Sequence, residues 1–410
     1  LTARGAAFPR VLFLTESFLP VLGGGERHID GLSRGLAASG LRVTIVTRRG
    51  EAAWPADEVR DGVRVVRVPP TGPGRTGKYA MVPHALLALR RLRSTYDVIV
   101  VRGTRVLGLP GLLAARALGA AIVLQAEVNG EMSGEVYTWG TRWGRPPAST
   151  VVRTAVGLRN RLLRDADAFV SMSAAIRDEF LAAGVPPEKV VHLPHGVDTA
   201  RFTPASAGER ASLRSRFGLP ADALVIAYTG RLLRGKGLED LLEAFAGLLA
   251  SHPDARLLIV GSGDGQSLSV EEALRERAAR PDLAGRVSFT GRLEHVEQAL
   301  RAADVFAFPS VFEALGLSLV EAAACGLPAV GARTGGIPDV IAEGRSGLLF
   351  APGDVSGLRA ALVELAADPG RRAALGAEAR RIACARFDAE AALVRYRALL
   401  TEVGSPGQAG

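Results

Sequence analysis

Cysteine is nearly absent from this 410-residue chain: only Cys325 and Cys384 occur, too few for a disulfide framework. Both fall in apolar helical patterns, which predicts buried free thiols in a reducing compartment. Aromatic residues are scarce as well, at 5%. No stacking motif interleaves with the arginines, so nucleic acid is not expected as a partner despite the net charge of +8. No apolar run approaches the roughly 18 residues of a membrane span, and the N-terminus, starting here at Leu1, has no signal-peptide pattern. A cytoplasmic location is expected. No His or Cys cluster has zinc spacing, and Asp165-Ala-Asp167 reads as a helix end followed by a strand start. No metal is expected.

What the chain does contain is ample apolar content, 48%, over a length too great for one ordinary core. About two domains are predicted. Short β-branched runs alternate with amphipathic stretches, which predicts strands near 10–15, 42–47, 63–68, 97–101, 121–126, 167–172 and 189–193. In the second half they recur near 224–229, 256–260, 286–289, 304–308 and 327–331. Strand and helix in alternation imply parallel sheets covered on both faces. Proline, glycine and charge interrupt the pattern between 193 and 222, so the join is placed at 203–204. A last helix is expected at about 388–402, and 403–410 reads as a frayed tail. Ligands of such α/β domains bind outside the carboxyl ends of the strands.

The densest chemistry lies in Glu313-Ala-Leu-Gly-Leu-Ser-Leu-Val-Glu321. Eight helical steps rotate about 800° and rise about 12 Å, so two acids at that spacing on one helix serve different parts of one long ligand. With Glu313 in the loop and Gly316 opening the helix, free first-turn amides and the positive dipole end suit a diphosphate. The carboxylates need offsetting cations. Gly230-Arg-Leu-Leu-Arg-Gly-Lys-Gly237 supplies them after an apolar strand. Only three of the 50 basic residues are lysine, Lys78, Lys189 and Lys236, and one of these stands between two glycines in this turn. Lysine is a compact point charge for phosphate, whereas Arg231 binds two oxygens at once.

A glycine run at 23–25 follows the first strand and opens a helix at Glu26. The Gly-x-Gly-x-x-Gly pattern of dinucleotide sites is missing, and the second strand ends in Thr47-Arg48-Arg49 without an acid for a ribose. A nicotinamide enzyme is therefore disfavoured. Arginine clusters at Arg90-Arg-Leu-Arg93 and along Arg153, Arg159, Arg161 and Arg164 read most simply as solvated helix faces. A peripheral hold on an anionic membrane is the second reading.

The arrangement of the Gly-Arg-(x)4-Lys-Gly turn, Gly261-Ser-Gly263, Phe289-Thr-Gly-Arg292, the Glu-to-Glu segment, Gly326-Leu-Pro328 and Gly335-Gly-Ile-Pro338 resembles the donor half of family 4 glycosyltransferases. Pro20-Val-Leu-Gly-Gly-Gly-Glu-Arg27 and Leu193-Pro-His-Gly-Val-Asp198 extend the resemblance, more loosely, to the first half. It implies a GT-B fold: two doubly wound Rossmann-like domains facing across a cleft, spanning 1–203 and 204–387, with the last helix crossing back to the first domain. It further implies a nucleoside-diphosphate sugar as co-substrate, with no other cofactor. Gly23, Gly24, Gly261, Arg292, Glu321 and the segment Ala314, Leu315, Gly316, Leu317 would bind that donor, the base near Gly291 and Arg292 and the ribose on Glu321. Glu313 would accept hydrogen bonds from the transferred sugar, with Arg231 and Lys236 on the leaving diphosphate.

Two departures from the family pattern stand out. Many relatives carry a histidine just past the fifth strand, where this chain reads Val123-Leu-Gln-Ala-Glu-Val-Asn-Gly-Glu131. Glu127 replaces it by position, and Glu127, Asn129 or Glu131 is expected on the sugar or acceptor side. His195 stands where asparagine is more usual, and a structural role is expected. The segment 132–150, with Tyr137, Trp139 and Trp143, reads as an acceptor-side loop or an ordinary surface insertion. The expected activity is retaining, metal-independent transfer of a hexose or N-acetylhexosamine to a glycan, lipid-linked or small-molecule acceptor. A nucleotide-sugar epimerase of similar fold, or a binding protein without catalysis, are the alternatives.

Overall fold

Residues 8–21, 23–72, 76–135, 150–266 and 268–405 are described by the computed structural model. They form two compact units, Leu1–Pro194 with Glu390–Gly410, and His195–Ala389. The expected join at 203–204 thus lies inside the second unit. Tyr137, Trp139 and Trp143 of the 132–150 segment, together with Leu22 of the glycine loop, lie outside the described residues.

The strands of the first unit are mostly β-branched runs buried on both faces. They are β1 (Val11–Leu14), β2 (Val43–Arg48), β3 (Asp57–Arg60), β4 (Val63–Val68), β5 (Val98–Arg102), β6 (Ala121–Gln125), β7 (Ala168–Ser171) and β8 (Val190–His192). The sheet order is β3-β4-β2-β1-β5-β6-β7-β8. Val11 pairs with Val43 on one side and Val98 on the other, both in parallel register. Strand β3 was not foreseen, and it pairs antiparallel with β4. Its Asp-Glu-Val-Arg sequence has no apolar alternation to read, and it is mostly exposed at the sheet edge, where charge discourages further pairing.

The last helix, Ala389–Gly404, packs on this first sheet. Tyr396, Leu399 and Leu400 join Val11, Phe13 and Ile29 in one core cluster. Gly35 makes room for it, since a Cβ there would meet the Leu393 side chain at 2.8 Å. Burying a residue such as Phe13 completely stabilises the unit by roughly 1.5–3 kcal/mol. The helix runs through 403 and 404, so the expected tail begins later than 403.

The second unit carries β9 (Val225–Thr229), β10 (Arg256–Val260), β11 (Val287–Gly291), β12 (Val305–Phe308), β13 (Ala329–Ala332) and β14 (Gly347–Phe350). All ladders in the order β11-β10-β9-β12-β13-β14 are parallel. Strand β14 was also unforeseen, because Gly-Leu-Leu-Phe is short and opens on glycine. Gly347 is nevertheless required there: a Cβ would sit 2.3 Å from the Ala329 carbonyl oxygen of the neighbouring strand.

Cys325 is buried at the end of helix Leu317–Ala324, and burial pushes its thiol up to about 12. Cys384 is exposed, contrary to expectation. Its helix, Pro369–Arg386, buries Leu375, Ala379, Ile382 and Ala383, which leaves position 384 on the arginine-rich side.

Candidate functional site

In the second sheet β9 has β10 on one side and β12 on the other, and the chain's crossovers reverse direction between β9 and β12. Such a switch point leaves a crevice outside the carboxyl ends of the two strands, because their following loops part to opposite sides. The two loops that part here are 230–237 and 309–316, the segments singled out for their chemistry.

The loop after β9 makes a tight excursion before helix Leu238–Leu248. Tyr228, wholly buried in β9, donates its hydroxyl to the Arg231 carbonyl at 3.2 Å. Burial raises its phenol pKa, the Glu313 charge adds to that, and Arg231 opposes it. Those two side chains therefore lie within electrostatic reach of one buried ring. Gly237 precedes the helix with φ 67°, and a Cβ there would sit 2.1 Å from the Pro309 carbonyl oxygen. Only glycine lets the turn come that close to the loop after β12.

That closeness sets the principal contact. Lys236 Nζ lies 2.7 Å from Glu313 Oε2, and both side chains are largely buried, 21% and 16% exposed. The two backbones are tied as well, with the Val311 amide donating to the Gly235 carbonyl at 2.9 Å. The Gly336 amide donates to the Glu313 carbonyl at 3.3 Å, which brings in the loop after β13.

Beyond Glu313, Ala314 and Leu315 lead to Gly316, whose φ of 89° turns the chain into helix Leu317–Ala324. The ladder of this helix starts with the Leu319 and Val320 amides donating to the Gly316 carbonyl. The amides of Leu317 and Ser318 precede it and stand at the positive end of the helix. Glu321 lies in this helix, partly exposed, and only the part after Gly316 is helical. The two acids thus belong to different elements, a loop and a helix, so the eight-step helical spacing does not describe their separation, while the loop-then-helix reading with Gly316 opening the helix does.

The Gly261-Ser-Gly263 turn after β10 lies beside the lysine turn. Gly230 donates to the Val260 carbonyl at 3.0 Å, Leu232 to the Ser262 carbonyl at 3.3 Å, and Gly261 to the Gly291 carbonyl at 2.8 Å. Arg292 is exposed at the end of β11 and donates to the Asp264 carbonyl at 3.5 Å. Sequence reasoning overlooked Glu271, which holds this turn. Although burial alone would raise its pKa, bonds from the Gly263 amide, Arg275 and Ser262 keep it below the usual range. Glutamate at the first position of a helix was the signal available, and it reads as an ordinary dipole partner.

The first unit repeats the design at its own switch point, between β1 and β5. Gly23 is an extended N-cap and the helix Gly24–Ala38 opens two residues before the expected Glu26. Buried Arg102, at the end of β5, donates to the Gly25 carbonyl at 3.1 Å and pairs with Glu127 at 2.7 Å. Burial raises the Glu127 pKa, Arg102 opposes, and Glu26 and Glu16 add repulsion. Asn129 is partly exposed two residues on.

Glu131, grouped with them in the sequence, has a different position. It is 3% exposed and accepts from the Thr104 amide and hydroxyl and from the amides of Glu127 and Val128. Burial pushes its carboxyl up to about 7. Glu179, on helix Ala174–Ala182, accepts from the amides of Gly130, Met132 and Ser133. Two carboxylates thus hold the loop that presents Glu127. His195 is buried, at 3% exposure. Asp167 accepts from the Ile122 amide at 2.8 Å, a strand-start role. Among the described residues no three His, Cys, Asp or Glu side chains converge as a metal would require.

His28, in helix Gly24–Ala38, has its ring centroid 6.3 Å from that of Tyr396. Burial, then the Arg102 charge, pushes its pKa down to about 3. The unfolded chain takes up a proton near pH 6.5 and the folded one does not, so this contribution to stability is present above about 6.5 and is lost as pH falls toward 3. His28→Gln is therefore expected to lose less stability than the natural chain between pH 7 and pH 5, by about 2 kcal/mol. Urea midpoints at the two pH values measure it; equal losses would mean the imidazole is not held neutral by burial.

Two family descriptions match the chain: "Glycosyl transferase 4-like domain" over residues 23–196 and "Glycosyl transferases group 1" over 223–368. A GDP-mannose-dependent alpha-(1-6)-phosphatidylinositol monomannoside mannosyltransferase of Mycolicibacterium smegmatis is 33% identical, covering 90% of this chain and 92% of the relative. D-inositol 3-phosphate glycosyltransferase 1 of Catenulispora acidiphila is 33% identical, covering 92% of each chain. Among solved structures, sucrose-phosphate synthase from Thermosynechococcus elongatus superposes with a TM-score of 0.81 at 24% identity, covering 97% of this chain and 100% of that one. The catalytic domain of starch synthase IV from Arabidopsis thaliana gives 0.71 at 15% identity, covering 97% and 100%.

Proposed function

The chain belongs to family 4 of the glycosyltransferases, of GT-B type, and on that premise we propose that it moves a hexose or N-acetylhexosamine from a nucleoside diphosphate to a glycan, lipid-linked or small-molecule acceptor, with retention and without a metal ion. The observation that carries this reading is the Lys236–Glu313 contact at the switch point of the second sheet, beside the helix that opens after Gly316. A cation, a carboxylate and free helix-start amides at one crevice match the three parts of a sugar diphosphate: phosphate charge, sugar hydroxyls and leaving oxygen.

In this reading Lys236, Arg231 and the amides from Ala314 to Leu317 receive the diphosphate. Negative charge grows on it as the glycosidic bond breaks, so fixed positive groups stabilise the transition state more than the bound donor. Glu313 accepts hydrogen bonds from the sugar hydroxyls, Glu321 from the ribose, and Gly23, Gly24, Gly261 and Arg292 complete the donor contacts. Glu127 and Asn129 are the acceptor-side residues. The leaving phosphate oxygen takes the acceptor proton during front-face attack, which needs no carboxylate nucleophile.

The relatives described above are transferases, which leaves the epimerase and binding-only alternatives without support. Because one of them uses GDP-mannose and a phosphatidylinositol mannoside by its name, GDP-mannose with a lipid-linked acceptor is the first pair to try. UDP-, GDP- and ADP-sugars incubated with and without lipid extract should give acceptor-dependent nucleotide release that persists in EDTA. The product should keep the donor's anomeric configuration by NMR. Donor isomerisation without acceptor, or protection against heating without turnover, would defeat the proposal.

A further inference from the structure

Acidic residues are missing from long stretches of the first unit: none lies between Asp61 and Asp97, none between Asp97 and Glu127, and none between Glu135 and Asp165. The fold gathers the helices that the described parts of these stretches form. Helices Val82–Arg91, Leu109–Leu118 and Thr150–Leu163 precede β5, β6 and β7, three strands that step the same way across the sheet. Right-handed crossovers put such helices on one face, and each packs against the next. The opposite face is the one covered by helices Gly24–Ala38 and Ala389–Gly404.

The outer side of this layer is apolar and basic at once. Leu87, Leu113, Val151 and Leu158 are 45%, 59%, 77% and 61% exposed. Arg90, Arg91, Arg153 and Arg161 are exposed on the same helices. Between the first two helices runs a groove of about 440 Å³ lined by Val82, Leu86, Leu109, Leu113 and Ala117, with Arg90 as its charged lining residue.

We propose that this layer is a docking surface for an anionic lipid bilayer, and that the groove receives an acyl chain with its phosphate on Arg90. Charge complementarity selects the occupant. The three helices themselves carry no carboxylate to repel an anion, Asp165 and Asp167 following the third with Asp167 paired to Arg116, and exposed leucine and valine among arginines suit the headgroup–acyl boundary, where stems bury and guanidiniums stay wet. Nucleic acid would want aromatic stacking platforms, and the groove is aliphatic. The surface lies on helices that carry none of the donor-site residues, so the inference goes beyond the transfer reaction and can fail separately from it.

The test is flotation of the full chain with vesicles of phosphatidylcholine, with and without phosphatidylglycerol. Binding should require the anionic lipid and weaken in high salt. Arg90→Gln with Arg91→Gln should weaken it about 25-fold, each arginine at such a surface counting for about fivefold. Leu113→Glu should abolish it, with circular dichroism and nucleotide release in solution unchanged. Flotation indifferent to both variants, or no flotation, overturns the docking surface. So does sedimentation showing a dimer that Leu113→Glu dissociates, since a second copy would then be the occupant. Intact donor turnover beside failed flotation would sink this inference alone and leave the transferase reading standing.

Discussion

Replacing Lys236 with alanine is expected to lower turnover by about a hundredfold to a thousandfold, the usual loss when one preorganised donor to a developing anion is removed. Donor affinity should change much less. The ammonium group is held 2.7 Å from Glu313 and is largely buried, so it spends no reorganisation energy when the diphosphate departs. Binding feels only the ground-state charge, while the chemical step feels the extra charge that accumulates on the leaving oxygen. Single-turnover rates and donor-induced thermal shifts separate the two quantities. Turnover unchanged by the substitution would remove Lys236 from the mechanism. Since the alanine variant leaves Glu313 without this cation, Glu313→Gln belongs in the same experiment. The two losses should fall short of adding, because contacting residues couple.

The second large effect concerns stability rather than rate. Gly237→Ala should destabilise the second unit by more than about 3 kcal/mol, which for a domain of this size lowers the melting temperature by roughly 6–12 °C. Two independent costs combine. The residue has φ 67°, a left-handed conformation that a side chain resists. The new methyl group would also lie 2.1 Å from the Pro309 carbonyl oxygen, a backbone atom with no rotamer to change. Relief means separating the loops after β9 and β12, so donor-induced stabilisation should disappear together with the native melting temperature. A variant that melts within about 2 °C of the natural chain would show that the two loops are not pressed together as described.

These two residues illustrate how far the chain could be read in advance. Lysine scarcity made Lys236 conspicuous, and glycines on either side marked a turn that follows a strand. The run from Glu313 to Glu321 announced a loop followed by a helix start, because a glycine inside an apolar stretch weakens a helix at its middle and serves it at its beginning. Strands β3 and β14 were not legible: one is charged and exposed at a sheet edge, the other short and opened by glycine. Cys384 looked buried because an alanine-rich helix offers little contrast between its faces. Glu131 looked like a neighbour of Glu127 with similar duties, and only the position of Thr104 shows it accepting hydrogen bonds inside the fold. Glu179 and Glu271 gave no warning, since a carboxylate that gathers loop amides is indistinguishable in sequence from one facing solvent.

By itself the sequence determined the class of fold and the family and singled out the residues proposed here for donor chemistry, since periodicity, turn glycines and charged motifs act over a few neighbouring residues. Only the tertiary structure decided which of these meet. Lys236 and Glu313 are 77 residues apart, and they touch because β9 lies beside β12 in the sheet. Strand order is a property of the whole packed layer: it follows from burying every apolar face at once, and no local run of residues carries it.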